Sequence, residues 1–439
     1  MNWRKPIIYL GLYASGSKIP YCLKEIRRVD ILSDEGKKQY QKDKLRKLLL
    51  HASRHVPYYR KVLKEVGVVV DGVGRLENFD KIPILTKEII RQEGKNLYSD
   101  ERISRKPYKN TSGGSTGEPV LFLQDKEYSD WNIANKIYYK ELAGQDVGSK
   151  ELRLWGSERD ILEGKEKFSI RFRNWLYNRV EFNSYRMSDD DMRRIVIGWN
   201  AFRPRWVEAY IQSIFEFAKF IKRNNIEIYL PHGILSSAGT LESEKEQLIK
   251  EVFGCEVYNR YGSREVGDMA CSRGGKDNLE LSIWNHLVEI LTTDSKPVAV
   301  QEAGDVIVTM LNNYSMPFIR YRIGDLAVLG DNPQTLSRVQ GRLGSLIKTN
   351  KGTFDSTALT TSFYYYSSIK NYQVVQKTKT HIIINVVTLD SEQWEKDKVA
   401  LAEKLHKIFG DDVTLEFNLV DDIPPSASGK YQYYTSKIV

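Results

Sequence analysis

"NTSGGSTGEPV", residues 110–120, is the stretch on which the reading of this chain turns. It sets two adjacent hydroxyl pairs among three glycines and closes on a proline. Neither a helix nor a strand favours that composition, because glycine loses the most backbone freedom on ordering and proline has no N–H to give. Glycine does let backbone N–H groups turn toward an anion, and the hydroxyls add neutral donors. The loop therefore suits the oxygens of a triphosphate, with a flexible Ser/Gly linker as the plainer alternative. It is not a Walker loop: that motif needs a lysine after its last glycine, and here Glu118 and Pro119 follow Gly117.

Outward from the loop, "VLFLQ" (120–124) reads as a strand, so the loop lies where the chain changes direction. "KDKLRKLLLHASRHVPYYRKVLKEVG" (42–67) reads as helical up to a break at Pro57. "FDKIPILTKEIIRQ" (79–92) predicts a helix capped by Thr86. "AYIQSIFEFAKFIKR" (209–223) puts Ile211, Ile214, Phe215, Ala218 and Ile221 on one helical face, and "DVIVTML" (305–311) reads as a buried strand. Alternating strands and helices indicate an α/β fold. The tail differs. "HIIINVVTL" (381–389), a helix around 392–409 and "VTLEFNLV" (413–420), with Val413, Leu415, Phe417 and Leu419 alternating, form a compact α+β unit after the glycine-containing hinge "GRLGS" (341–345).

A chain of 439 residues calls for two or more domains. We divide it into 1–341 and 342–439, with 1–60 a basic helical segment. No apolar run is long enough to span a bilayer, and "PIIYLGLYASG" (6–16) reads as an N-terminal helix or strand rather than a signal peptide. Three cysteines, Cys22, Cys255 and Cys271, indicate a reducing compartment, hence the cytoplasm. Cys271 and His286 do not make a zinc site without a CxxC or further ligands, and read as a buried thiol and an ordinary histidine. Residues 1–60 hold fourteen Lys/Arg against five Asp/Glu, which accounts for the whole chain's net charge of +9. Charge gathered at one end suits peripheral contact with something anionic, such as the inner face of a membrane, or else is a solvated helix face.

Three further segments raise the standing of the loop. "NRYGSREVG" (259–267) sets Tyr261-Gly262 ahead of Glu265, "YRIGDLAVL" (321–329) sets a Gly-Asp pair after an aromatic, and "PPSASGKYQYY" (424–434) carries Lys430 after a glycine. Singly these are a turn, a strand end and a solvated lysine. In this order, with the loop, they resemble the signature motifs of the adenylate-forming (ANL) superfamily. Within it, "LLLHASRHVPYYRKVLKEVG" and "FDKIPILTKEIIR" resemble the phenylacetate–CoA ligase branch, and "LWGSERD" (154–160) and "FNSYRMSDDDM" (182–192) resemble its CapK-type capsular polysaccharide proteins. The resemblance covers nearly the whole chain.

It implies a large adenylating domain with mixed sheets and helices, and a small mobile α+β lid. It implies an AMP-forming ligase that uses ATP and Mg2+ to convert a carboxylic acid to an acyl-adenylate, then passes the acyl group to an amine, a sugar or coenzyme A. By the resemblance, Thr111, Ser112, Gly113, Gly114, Ser115, Thr116 and Gly117 cradle the phosphates and Glu265 helps hold the metal. Tyr261 lies along the adenine, Ala238 and Gly239 line its other side, and Asn259, Gly262 and Ser263 are further cofactor-binding positions. Asp325 accepts from the ribose hydroxyls, Arg342 lies near ribose and phosphate, and Lys430 on the lid bridges the substrate carboxylate and the α-phosphate.

Departures bear on these expectations. The loop has one extra glycine, Arg264 stands before Glu265 where the family carries Thr or Ser, Ile323 replaces the Thr of the "TGD" motif, and Gly344 stands at the hinge position. The acid is expected between the helix near Trp131–Tyr139, the "LWGSERD" loop and the segment 232–237, with Tyr138, Trp155 and Arg159 as candidate contacts. Two other readings compete: a phenylacetate–CoA ligase-like acyl-CoA ligase, and a nucleotide-binding protein without ligase activity. A nucleic-acid binder is disfavoured, because the basic residues are not interleaved with aromatics along the chain.

Overall fold

A computed structural model describes residues 2–112, 120–155, 168–184, 187–237, 241–274, 278–342, 347–354, 363, 366, 368–424, 433–436 and 438. The first residues form helices α1 (Arg4–Ala14), α2 (Ile19–Asp30), α3 (Asp34–His55) and α4 (Pro57–Glu65). Ser33 starts α3 by accepting from the Gly36 amide at 3.2 Å. Pro57 ends one helix and opens the next, at a position where its missing N–H has no partner to lose. Thr86 caps α5 (Lys87–Glu93) through the Ile89 amide at 3.4 Å. The hairpin β1 (Tyr108–Thr111) and β2 (Leu121–Gln124) brackets the glycine loop, with Thr111 opposite Leu121. Asp125 then caps α6 (Lys126–Leu142), accepting from the Tyr128 amide at 2.9 Å.

The next stretch alternates as β3 (Glu151–Leu154), α7 (Phe168–Leu176), β4 (Arg179–Phe182), α8 (Asp189–Phe202), β5 (Trp206–Tyr210), α9 (Ile211–Arg223), β6 (Gly233–Ser237), α10 (Ser243–Phe253) and β7 (Glu256–Ser263). These five strands are parallel, in the order β4-β3-β5-β6-β7. The chain then runs antiparallel through β8 (Gly267–Ser272), β9 (Leu279–Leu281), β10 (His286–Leu291), β11 (Ala303–Met310), β12 (Tyr321–Leu329) and β13 (Thr335–Arg342), completing one eleven-stranded sheet.

One face of the parallel half is apolar. Leu152, Leu154, Val207, Ala209, Ile234 and Val257 pack against α8, α9 and α10, where all five residues of the predicted α9 stripe are buried. The other face is charged. Lys140 from α6 reaches Glu151 at 2.7 Å and Glu208 at 3.0 Å, and Arg153 and Arg260 each reach Glu208 at 2.7 Å. Burial by itself would raise the Glu208 carboxyl, but Arg153, Lys140 and Arg260 outweigh it and hold the group well below the usual range. The period of two along a strand places Glu151 and Arg153 on one face and Leu152 and Leu154 on the other.

The last part of the chain has its own core. Strands β14 (Ile369–Thr378), β15 (His381–Thr388), β16 (Thr414–Leu419) and β17 (Tyr434–Ser436) pair in the order β16-β15-β14-β17 under α11 (Ser391–Phe409). Trp394, Leu401, Leu405 and Phe409 cover Ile382, Ile384 and Val386. Leu419 departs from the expected inward alternation and is 52% exposed, at the end of an edge strand. No helix among the described residues is long and apolar enough to cross a membrane.

Candidate active site

Two short linkages bring the motifs together. Ser112 closes the neck of the glycine loop: its hydroxyl accepts from the Val120 amide at 2.9 Å, and its own amide donates to the Val120 carbonyl at 3.0 Å. From the other arm of the hairpin, buried Gln124 donates to the carbonyls of Arg264 and Glu265, both at 3.1 Å, and accepts from Asn110 at 3.1 Å. The base of the loop and the "SRE" turn are thus fixed to each other by one amide.

The turn itself is set by glycine. At Gly262 a Cβ would stand 2.4 Å from the Gly267 carbonyl oxygen, so only glycine lets β7 and β8 close this tightly. Glu265 sits on the turn 4% exposed, and among the described residues no cation pairs with its carboxylate. Arg264 is exposed and does not pair with it. The Ser263 hydroxyl, two residues before Glu265, is buried without a hydrogen-bond partner. A buried carboxylate with no counter-ion among the described residues, beside an unsatisfied hydroxyl, fits a divalent cation with its phosphate ligands.

The Tyr261 hydroxyl, at the end of β7, donates to Asp325 of β12 at 2.9 Å. Gly324 has φ of +89°, the left-handed region open to glycine, and so turns Asp325 toward that edge. Arg342 is the register partner of Asp325 across β12 and β13. Ile323 points into the core at 5% exposure, so the hydroxyl of the usual threonine has no counterpart there. Asn259 lies beside Ser236 across β7 and β6, and its amide donates to the Ser272 hydroxyl at 2.8 Å.

A crevice for a second ligand follows from strand order. The chain leaves β3 for β4 on one side and later returns to β5 on the other, so the C-terminal end of β3 is a topological switch point. Trp155 follows β3 and Tyr210 ends β5; their ring centroids are 4.1 Å apart at 32°. Ser213 and Ser184 hydrogen-bond at 3.0 Å behind them, and the Ser184 amide donates to the Trp155 carbonyl at 3.3 Å.

Not every candidate joins this site. Tyr138 packs edge-on to Trp284 at 5.4 Å, with its hydroxyl between Asp30 and Arg273, on the side of α6 that faces α2. His232 stands exposed before the N-terminal end of β6, opposite to the crevice. Of the region expected between the helix near Trp131–Tyr139, the "LWGSERD" loop and segment 232–237, Trp155 and Ser237 lie at the C-terminal ends of the parallel strands, and Tyr138 and His232 lie elsewhere. Gly113 to Gly117, Arg159, Ala238, Gly239, Gly344, Lys430 and the Arg342 side chain lie outside the described residues. Gln124 and Tyr210 were not singled out in the sequence; the only signal for Tyr210 is its place immediately before the α9 stripe.

Elsewhere, both nitrogens of buried His286 are engaged, one with the Ser282 hydroxyl at 2.8 Å and the other with the Val266 carbonyl at 2.7 Å. It does not ligate a metal with Cys271. His51, His55 and Glu101 bring ligand atoms within 4.8 Å of one another, but Arg105 pairs with Glu101, Asp100 with His55 and the Tyr314 carbonyl with His51, so an ion-pair network accounts for the group.

The chain is similar to known proteins over most of its length. Residues 346–437 match the CapK C-terminal domain family. The chain is 24% identical over 425 residues to Protein CapK of Staphylococcus aureus, spanning 94% of this chain and 92% of that one. It is 25% identical over 334 residues to a phenylacetate-coenzyme A ligase of Thermus thermophilus, spanning 73% and 72%. Its fold is similar to that of a 2-hydroxyisobutyryl-CoA ligase solved in the postadenylation state, with a TM-score of 0.69 at 14% identity over 89% of this chain and 87% of the other. Loop, turn, Gly-Asp strand and C-terminal unit thus occur together in a chain whose C-terminal part matches the CapK family and which is similar, over most of its length, to proteins of the CapK and phenylacetate–CoA ligase type.

Proposed function

We propose that this protein is an ATP-dependent, AMP-forming carboxylate ligase, and that its acyl group passes to an amine, a sugar or coenzyme A in surface polysaccharide synthesis. The observation that carries the reading is the Gln124 linkage, which sets the hydroxyl-rich loop against the Glu265 turn, together with the Tyr261–Asp325 bond between β7 and β12. A loop for phosphates, a carboxylate for a cation and a carboxylate for vicinal hydroxyls are what a nucleoside triphosphate requires.

A carboxylate acylates poorly because its leaving group would be oxide. Attack of a carboxylate oxygen on the α-phosphorus, with rupture of the bond to pyrophosphate, gives a mixed anhydride with a good leaving group. The barrier lies in bringing negative charges together, so preorganised donors and cations supply most of the acceleration. In this scheme Glu265 and Ser263 hold Mg2+, which when bound neutralises phosphate charge and polarises phosphoryl oxygens. Asp325, steadied by Tyr261, accepts from the ribose hydroxyls. Lys430 brings a point charge to the reacting carboxylate from the C-terminal unit 342–439, which we take to act as a lid on 1–341. Trp155 and Tyr210 form the wall against which the acid lies. The surface-polysaccharide part of the proposal rests on the resemblance of "LWGSERD" and "FNSYRMSDDDM" to CapK-type capsular polysaccharide proteins. The basic first sixty residues support cytoplasmic work at an anionic membrane face.

Carboxylate-dependent ATP–pyrophosphate exchange tests the reading, with aryl, acyl, amino and uronic acids offered with and without coenzyme A. Exchange with one acid class, lost by at least about a hundredfold in Lys430→Ala, is expected. ATP binding without exchange for any acid would instead leave a nucleotide binder without ligase activity.

A further inference from the structure

Helix α1 is apolar on both sides. After Lys5 it carries no charge, and its sole buried residue is Ile8, with Tyr9 and Leu12 packed beside it on the core. The opposite side is apolar as well: Trp3, Ile7, Leu10 and Tyr13, spaced at three and four, are 48, 46, 69 and 67% exposed. A helix that is hydrophobic all round normally lies inside a protein or against lipid.

The stripe does not end with α1. Phe172 and Trp175 of α7 are 53 and 55% exposed, and Trp175 lies 6.3 Å from Trp3 and 5.8 Å from Phe172, ring centre to ring centre. The Arg4 guanidinium stands over both tryptophans, at 4.5 and 5.9 Å. Arg171 and Arg173 of α7 are exposed, as are Lys18 and Lys24 at the start of and within α2. The patch is held, not dangling. Asn2 donates to the Val147 carbonyl at 2.7 Å, Lys5 pairs with Asp146 at 2.6 Å, and Gly148 lacks the Cβ that would meet Arg4 at 2.9 Å.

We propose that Trp3, Ile7, Leu10, Tyr13, Phe172 and Trp175 form a docking face that seats the protein in the headgroup region of an anionic phospholipid bilayer. Tryptophan and tyrosine suit that region because one end of the ring system is apolar and the other polar. The charge complements it: the whole +9 excess lies in the first sixty residues, which include α1. This extends the charge-based reading above by supplying the apolar element that charge alone lacks; a single weak signal gives only marginal, reversible attachment. The orientation is also consistent. Residues 146–148, against which α1 packs, precede the N-terminal end of β3, whereas Trp155 and the crevice lie beyond its C-terminal end. The docked protein would keep the crevice turned away from the bilayer surface.

The test is flotation of the full-length protein with vesicles of phosphatidylcholine alone and of phosphatidylcholine with phosphatidylglycerol, at low and high salt. It uses neither ATP nor acid, so it stands or falls apart from the ligase reading. The expected result is flotation on the anionic vesicles, weakened by salt, and reduced by about tenfold or more in Ile7→Asp/Leu10→Asp. Both positions are exposed, so an unchanged melting temperature checks that the variant folds. A second variant, Trp175→Ala, reports the α7 half and should lose several-fold. Absence of flotation, or equal flotation of wild type and variants, overturns the proposal. A dimer seen by light scattering, dispersed by the same variants and unaccompanied by flotation, overturns it in favour of a second copy of the chain on this face.

Discussion

The Tyr261 hydroxyl and the Asp325 carboxylate meet at 2.9 Å although 64 positions separate them in sequence. The bond orients a carboxylate within β12 from near the end of β7. Tyr261→Phe should cost about 1 kcal/mol of stability and raise the KM for ATP several-fold, leaving kcat nearly unchanged. Asp325→Ala, which removes the acceptor outright, should weaken ATP binding by about ten- to a hundredfold. Calorimetric titration with ATP and exchange kinetics check both. An effect on kcat alone would contradict a role in holding the ribose.

Gln124 holds the loop and the Glu265 turn at once. Gln124→Leu leaves two carbonyls without their donor in a largely buried setting, and should cost about 2 kcal/mol. ATP binding should fall further than stability predicts, because the two halves of the phosphate site lose their registry. Denaturant unfolding paired with ATP titration separates these effects.

Glu208 is the hub of the ion layer beneath α6. Glu208→Gln leaves Lys140, Arg153 and Arg260 with one carboxylate charge fewer in a buried space, and should destabilise the large sheet by about 3–5 kcal/mol. Unfolding followed by tryptophan fluorescence measures it. A loss below about 1 kcal/mol would mean that the layer is solvated.

His286 is enclosed, and burial pushes its pKa down to about 4 from an ordinary value of 6.5. Between those values the unfolded chain binds a proton that the folded chain refuses, so stability falls as pH drops from about 6.5 to about 4. The loss from this one group approaches about 3 kcal/mol at the acid end. Unfolding curves across that window should be steeper in pH for wild type than for His286→Gln.

Local order was legible wherever one residue type has one physical consequence. Pro57 divides two helices, Thr86 caps one, and the period in 209–223 names the buried side of α9. The glycine loop announced a turn between strands, and Gly262 and Gly324 are glycine because a Cβ would clash or a positive φ is required. In the tail, the helix and the strands at 381–388 and 414–419 came out where the sequence put them, whereas the strands at 369–378 and 434–436 were not read from it.

The site itself was legible only in part. Resemblance named Tyr261, Glu265 and Asp325 singly, but no local rule says that a tyrosine hydroxyl reaches an aspartate 64 residues away, or that Gln124 ties two of the motifs together. Tyr138 and Trp155 were equal candidates by composition, yet one lies against Trp284 in the core and the other at a strand end beside Tyr210. Helical and strand periods report burial along one element; which elements become neighbours depends on strand order. Thus the sequence by itself determined the elements, their caps and breaks, and the lineage of the motifs. The tertiary structure alone decided which strand ends meet at the switch point beside Trp155, and which distant segments Tyr261 and Gln124 reach, because contacts between distant segments are set by packing the whole sheet at once.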